Sequence, residues 1–196
     1  ERHGIVHRLD KGTSGVMVVA KSNEAHLGLS RQLEDKSMGR YYLAIMDMPL
    51  KENIIVEKPI GRNVINRLKM SIEENGRNAK SAFSKIALSD NEKFELIAAK
   101  LYTGRTHQIR VHLSSMNRHI LGDNLYGFKG ELNKINRFYL HAYYLYLTHP
   151  ITNKQMSFKA NLPKDINEFL NKNFQKENID DKLNESYIIN SFNTSI

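Results

Sequence analysis

The chain has 196 residues, 40% of them hydrophobic, which is enough for one domain with its own core. It contains no cysteine, so a disulfide framework and any zinc site built on thiolates are excluded. Its net charge of +8 at pH 7 favours a polyanionic partner, because Lys and Arg that neutralise phosphates release condensed counterions.

No run of about 18 apolar residues occurs. The opening Glu1-Arg2-His3-Gly4 lacks the basic-then-apolar layout of a secretory signal. The expectation is a cytoplasmic, monomeric protein with no membrane attachment. Much of the positive charge is concentrated in the body of the chain. Lys58, Arg62, Arg67, Lys69, Arg77 and Lys80 stand close together, opposed there only by Glu73 and Glu74.

In chain order, residues 15–20 form a short apolar run rich in β-branched side chains, which predicts a buried strand. Ser22 then offers an N-cap oxygen, and Ala25, Leu29 and Leu33 recur at spacing four, so a helix is predicted over 23–35. A strand follows over 41–48, stopped by Pro49. Residues 53–88 alternate extended runs with a basic loop, and Asn75-Gly76 is a hairpin-type turn dipeptide. A strand over 94–102 leads through Thr103-Gly104 into a helix whose apolar face carries Ile109, Leu113 and Met116. Residues 139–148 read as an aromatic strand with which 156–160 pairs back. Pro163 opens a helix bearing Ile166, Phe169 and Leu170. The fold class is α+β on a mixed, mostly antiparallel sheet flanked by helices and loops, with residues 1–174 as one domain and 175–196 as a flexible tail.

Three segments are polar where strands and helices end. In His7-Arg8-Leu9-Asp10-Lys11-Gly12-Thr13-Ser14-Gly15, one carboxylate lies between cations and ahead of a turn. Both would favour a charged Asp10 able to attack carbon, although the same carboxylate could simply cap the turn. In Thr103-Gly104-Arg105-Thr106-His107-Gln108-Ile109-Arg110, Thr103 and Thr106 are candidates to satisfy free helix N–H groups. His107 and Arg110 would share a face that is either functional or only solvated. In Arg40-Tyr41-Tyr42-Leu43-Ala44, alternation places the two tyrosines on opposite sides of a strand, one in the core and one able to line a cleft. His107 and His112 lack a third ligand at useful spacing, so no metal site is expected. Ser14, His107 and Asp10 could be drawn as a hydrolase triad, but no Gly-x-Ser-x-Gly elbow supports it.

Together these segments resemble the RluA/RluD-type RNA pseudouridine synthases. The first is similar to that family's central motif, and Arg40-x-Tyr42-x-Ala44 resembles its second, with Arg in place of the usual Lys. The run from Gly104 through Arg110 to Leu113, followed by Gly122-Asp123 and Tyr126-Gly127, is similar to its third. The resemblance implies a pseudouridine synthase fold with a central RNA-binding cleft. It implies isomerisation of uridine to pseudouridine, without metal or organic cofactor, in ribosomal RNA or, second, transfer RNA. It also implies Asp10 as nucleophile, Arg110 as its ion-pair partner, and Tyr42 as the platform for the base and an aid in removing the C5 proton. Leu113 would pack beside the pocket and Arg8 would fill the vacated stack. His7, Thr13, Arg62, Arg105 and His107 complete the expected RNA-binding set. Relatives carry several dozen residues ahead of the central motif, and many an S4-type module. The expectation is therefore a fragment of a larger protein or half of a split gene. The competing reading is a catalytically silent RNA-binding fragment.

Overall fold

The computed structural model describes residues 4–128 and 137–193. The sequence expectations on residues 1–3 and on 194–196 lie outside the described residues. In chain order the elements are β1 (Ser14–Gly15), α1 (Asn23–Glu34), β2 (Gly39–Asp47), β3 (Ile54–Glu57), β4 (Ile60–Arg62), β5 (Met70–Ile72), β6 (Lys80–Leu88), β7 (Phe94–Leu101), α2 (Gln108–Ser114), β8 (Leu140–Thr148), β9 (Gln155–Lys159), α3 (Lys164–Asn173), α4 (Ile179–Lys182) and α5 (Glu185–Asn190).

A seven-stranded sheet runs in the order β1-β8-β2-β7-β6-β3, with β9 added to β8 beyond the short β1 contact. Every pairing is antiparallel except β1 with β8. β4 and β5 form a separate hairpin. β2 lies between β7 and β8 and has both faces covered, which is why its sequence is a nearly unbroken apolar run rather than a clean alternation. The register with β8 slips between Tyr41 and Tyr42, a local bulge beside the cleft.

The two faces of β2 do different work. Tyr41 packs against Tyr144, Tyr146 and Phe192, its ring 5.6 Å from that of Phe192. Tyr42 points the other way and lines the cleft. Helix α1 begins where Ser22 accepts a bond from the Ala25 amide, and Leu29 seats it against Leu145 and Leu147 of β8.

Residues 15–20 do not make the predicted buried strand. Only Ser14–Gly15 form a strand, with a single bridge from Val19 to Ile5 beyond it; Met17 and Val19 are exposed, and Val16 and Val18 are only partly buried. The segment lies at the sheet edge, where β8 is its one strand neighbour, so none of its three valines is buried and Val19 faces outward. Gly15 is required there: its φ is +116°, and a Cβ would sit 2.0 Å from the Ala142 carbonyl oxygen.

Residues 175–193 also differ from the expected tail. They form α4 and α5, and Leu183, Ile188 and Phe192 belong to the main core. The Tyr143 hydroxyl donates to the Leu183 carbonyl at 2.7 Å, and the Ser84 hydroxyl to the Ser191 carbonyl at 3.1 Å. Three apolar residues diluted among Asn, Ser and Lys carry little periodic signal. Their partners come from strands far away in the chain.

Candidate active site

Asp10 opens a tight turn. Its backbone carbonyl accepts from the Thr13 amide at 2.9 Å, and Gly12 takes a φ of +99° that only glycine adopts cheaply. The turn is closed by the backbone, so the carboxylate is not spent on capping. It lies in a cleft of about 780 Å³, where only 14% of the side chain is exposed, and meets Arg110 Nη1 at 3.4 Å.

Arg110 is held more firmly from behind. Its Nε and Nη2 donate to the two carboxylate oxygens of Asp123 at 2.7 and 2.9 Å. Its guanidinium carbon lies 4.2 Å from the Phe138 ring centre and 4.7 Å from that of Tyr126. A bidentate pair and two aromatic faces fix the plane of the guanidinium, leaving Nη1 free to face Asp10. Burial works against the Arg110 charge, but the bonds and charge of Asp123, with Asp10 beyond, outweigh it and push its pKa up.

Helix α2 carries this arginine without solvent on any side, since Gln108 through Leu113 are all buried. Its polar face is therefore not the solvated one that the sequence left open. The N-terminus is also built differently from expectation. His107 is the N-cap in a left-handed conformation with φ 58° and makes no capping bond. The Gln108 amide instead donates to the Arg105 carbonyl at 3.1 Å, and the Gln108 Oε1 ties down the preceding loop by accepting from the Thr103 hydroxyl and the Arg105 amide, while Thr103 Oγ1 accepts from the Lys80 amide. The His107 Nδ1 pairs with the Tyr126 hydroxyl at 2.7 Å, and that hydroxyl also accepts from the Met70 amide. His107 and Arg110 are thus joined through one tyrosine.

Tyr42 lies within the electrostatic range of both Asp10 and Arg40. Burial pushes its phenol pKa up, opposed by Arg40. A phenol kept neutral suits stacking and hydrogen-bond donation. His7 and Thr13 line the cleft with Asp10, and the Val18 amide donates to His7 Nε2 at 3.1 Å. Arg8 is exposed at the rim, and Arg105 lines the wall with its Nε bonded to the Asn78 carbonyl at 2.9 Å.

Two expected residues do not join this cluster. Arg62 lies at the end of β4, beside Asn63, Val64 and Arg67 in a separate hollow. Leu113 is wholly buried in the main core and does not line the cleft, because it lies one turn past Arg110 on the inner side of α2. The sequence reading assigned no role to Asp123, Tyr126 or Phe138. Gly122-Asp123 and Tyr126-Gly127 were visible as a motif, but no helical spacing links them to Arg110.

The hydrolase arrangement is absent. Ser14 Oγ pairs with His141 Nδ1 at 2.8 Å, not with His107. The other nitrogen of His141 meets the Ala160 carbonyl, so a backbone group stands where a triad needs a carboxylate. Among the described residues no group of three His, Asp or Glu side chains could hold a metal ion.

Four histidines share one electrostatic fate. Burial pulls the pKa of His7 from 6.5 to about 4, aided by Arg40, and burial also lowers those of His107, His112 and His141. The unfolded chain therefore takes up these protons first as pH falls. Stability should be intact above about pH 6.5 and decline towards pH 4, with His7 alone contributing a loss of about 2 kcal/mol by pH 5. Urea unfolding at pH 7.5 and pH 5 checks this, and His7→Gln should shrink the difference. An equal difference in that variant would show that His7 plays no part in it.

The sequence model described as RNA pseudouridylate synthase matches residues 1–115. An uncharacterized RNA pseudouridine synthase of Helicobacter pylori is 51% identical over 199 residues, covering 98% of this chain and 61% of that protein. The ribosomal large subunit pseudouridine synthase D of Zymomonas mobilis is 41% identical over 172 residues, covering 84% of this chain and 54% of that protein. Among solved structures, human RNA pseudouridylate synthase domain containing 1 matches with a TM-score of 0.70 at 28% identity, over 81% of this chain and 68% of that one. The chain thus spans a little over half the length of these curated relatives. With the matched segment containing Asp10, Tyr42 and Arg110, and with a fold shared with solved members, the chain belongs to the RNA pseudouridylate synthase family.

Proposed function

We propose that this chain forms the catalytic part of an RNA pseudouridine synthase that isomerises uridine in structured RNA, ribosomal RNA first and transfer RNA second. It acts as a cytoplasmic monomer without a cofactor. The observation that carries the reading is a carboxylate in a cleft, Asp10, faced by an arginine that Asp123 and two aromatic rings immobilise. The names of relatives from Zymomonas mobilis, Nitrosomonas europaea and Pseudomonas aeruginosa favour the large ribosomal subunit.

A uridine in a stem must leave its stack before its glycosidic bond can be reached, at a cost of roughly a few kcal/mol. Tyr42 offers the flipped base an aromatic face worth roughly 1–3 kcal/mol, and Arg8 at the rim can take the vacated place in the stack. Asp10 then attacks C1′ or the ring, the base rotates, and it rejoins through C5. Held neutral by burial, Tyr42 can accept the C5 proton only by passing its own proton on. His7, Thr13, Arg105 and His107 shape the cleft and present donors around the nucleotide.

The RNA backbone is gripped farther out by the loop between β4 and β5. There Arg62, Arg67 and Lys69 surround Val64, Ile65 and Leu68, whose side chains are almost entirely exposed. Phosphate contacts of this kind set affinity without sequence choice. The double variant Arg62→Glu, Arg67→Glu should lower the slope of log Kd against log salt by about 1.5–2 units, with single-turnover rate at saturation nearly unchanged. Filter binding across a salt series checks it, and an unaltered slope would remove the loop from the interface.

The reaction itself is tested by mapping pseudouridine in total RNA from a strain lacking the gene. Chemical labelling is read by primer extension, before and after addition of the full protein. A uridine that becomes pseudouridine only on addition supports the reading. RNA binding with no new pseudouridine at any site would replace it with a silent binding protein.

A further inference from the structure

Arg40 stands out from the other cations of the cleft. It is 7% exposed, yet among the described residues it forms no ion pair and its Nε, fully buried, has no hydrogen-bond partner. Its guanidinium lies against the backbone of Gly104, where a Cβ would come within 2.8 Å of Nη1. Burying an unpaired cation costs several kcal/mol, so the fold holds a positive charge in place for something that arrives later.

Its position indicates what arrives. Arg40 and Tyr42 are two residues apart on β2 and both line the cleft. Side chains at that spacing on one strand face lie about 6.5–7 Å apart, so a ring stacked on Tyr42 has one edge within reach of Arg40. Arg8, Lys36 and Arg77 already supply exposed cations to the rim, where phosphates run. A buried guanidinium on the central strand suits the base.

We propose that Arg40 is a catalytic residue that stabilises the negative charge developing on the carbonyl oxygens of the uracil ring. The inference rests on the proposed function. It holds for either covalent route. If Asp10 attacks C1′, the C1′–N1 bond breaks, and its electron pair leaves with N1 and spreads onto O2 and O4. Later C5 bonds to C1′, the Asp10 ester bond breaks, and the C5 proton departs to a base. If Asp10 attacks C6, the C5–C6 π pair moves through C4 to leave an enolate on O4. Each intermediate bears an anion on a ring oxygen where the ground state has only a dipole. A fixed cation binds that anion more strongly than the neutral base, and this difference is what accelerates the step.

The test compares wild type, Arg40→Met, Arg40→Lys and Asp10→Ala as full protein, measuring RNA affinity and single-turnover rate at saturation. Arg40→Met should keep RNA affinity within about twofold and lose about 10²-fold or more in rate, and Arg40→Lys should recover to within about tenfold of wild type. Gly104→Ala, which pushes the guanidinium aside without deleting it, should fall between them. An unchanged rate in folded Arg40→Met overturns the proposal. So does a loss confined to affinity, which would make Arg40 a phosphate anchor. Calorimetry with barbiturate, a pyrimidine anion at neutral pH, against uracil reads the site without turnover. Wild type should prefer barbiturate by about tenfold or more, and Arg40→Met should lose that preference. If wild type forms no pseudouridine, the functional reading fails, and the barbiturate preference alone then decides for or against Arg40.

Discussion

Asp10→Ala should reduce pseudouridine formation by about 10⁴-fold or more while leaving the protein folded and bound to RNA. The separation of effects follows from how Asp10 is built in. Its structural bond is made by its backbone carbonyl to the Thr13 amide, which alanine retains. Among the described residues its side chain makes a single hydrogen-bonded ion pair, at 3.4 Å to Arg110, and Arg110 keeps its two bonds to Asp123 when that pair is removed. No buried charge is orphaned, so the unfolding free energy should change by less than about 1 kcal/mol. Single-turnover assays on a defined RNA, beside urea melts of both proteins, give the two readouts. Turnover near the wild-type level in the folded variant would place the nucleophile elsewhere.

Arg110→Met should damage activity and stability together. Removing the guanidinium leaves the Asp123 carboxylate, 1% exposed, buried without a counter-charge, and breaking one side of such a pair costs about 3–5 kcal/mol. It also removes the group that orients Asp10, so the rate at saturation should fall by about 10²–10³-fold, as when a preorganised donor is lost. The two effects can be divided. In Arg110→Met with Asp123→Leu, both members of the fully buried pair are gone and only Asp10, at the open side of the cleft, loses a partner, so much of the lost stability should return while activity does not. Recovery of both would mean that Arg110 serves the fold alone. Asp123 does not line the cleft, so on this prediction it would act as a positioning residue, through the plane of Arg110.

The fold class and most elements were legible because their signals are local. Ser22 with the fourfold spacing of Ala25, Leu29 and Leu33 specifies a capped amphipathic helix whatever surrounds it. The nearly unbroken apolar run of β2 fits a strand covered on both faces, and the alternation of Tyr41 and Tyr42 correctly sends one inward and one to the cleft. The family resemblance, carried by the segments around Asp10, Tyr42 and Arg110, was legible for the same reason, as short contiguous strings.

What the chain order concealed are pairings between distant segments. Residues 15–20 have strand chemistry, but exposure is decided by how many neighbours a strand has, and at the sheet edge there is one. Leu183, Ile188 and Phe192 look sparse in a polar stretch until Tyr41, Tyr143 and Ser84 are brought beneath them. Thr103 does not cap α2, because the loop folds back so that Thr103 and Arg105 both bond the Gln108 side chain. Ser14 finds His141, which lies 127 positions away, rather than His107.

The amino-acid sequence by itself determined most of the secondary structure, the family and several of the groups that line the cleft, among them Asp10 and Tyr42. Periodicity, turn chemistry and contiguous motifs act over a few residues. The tertiary structure alone decided how those groups are held. The Asp123–Arg110–Asp10 chain, the aromatic faces of Tyr126 and Phe138, and the unpaired burial of Arg40 are all relations across space. Burial and electrostatic pairing depend on distance in three dimensions, and only the packed sheet sets that distance.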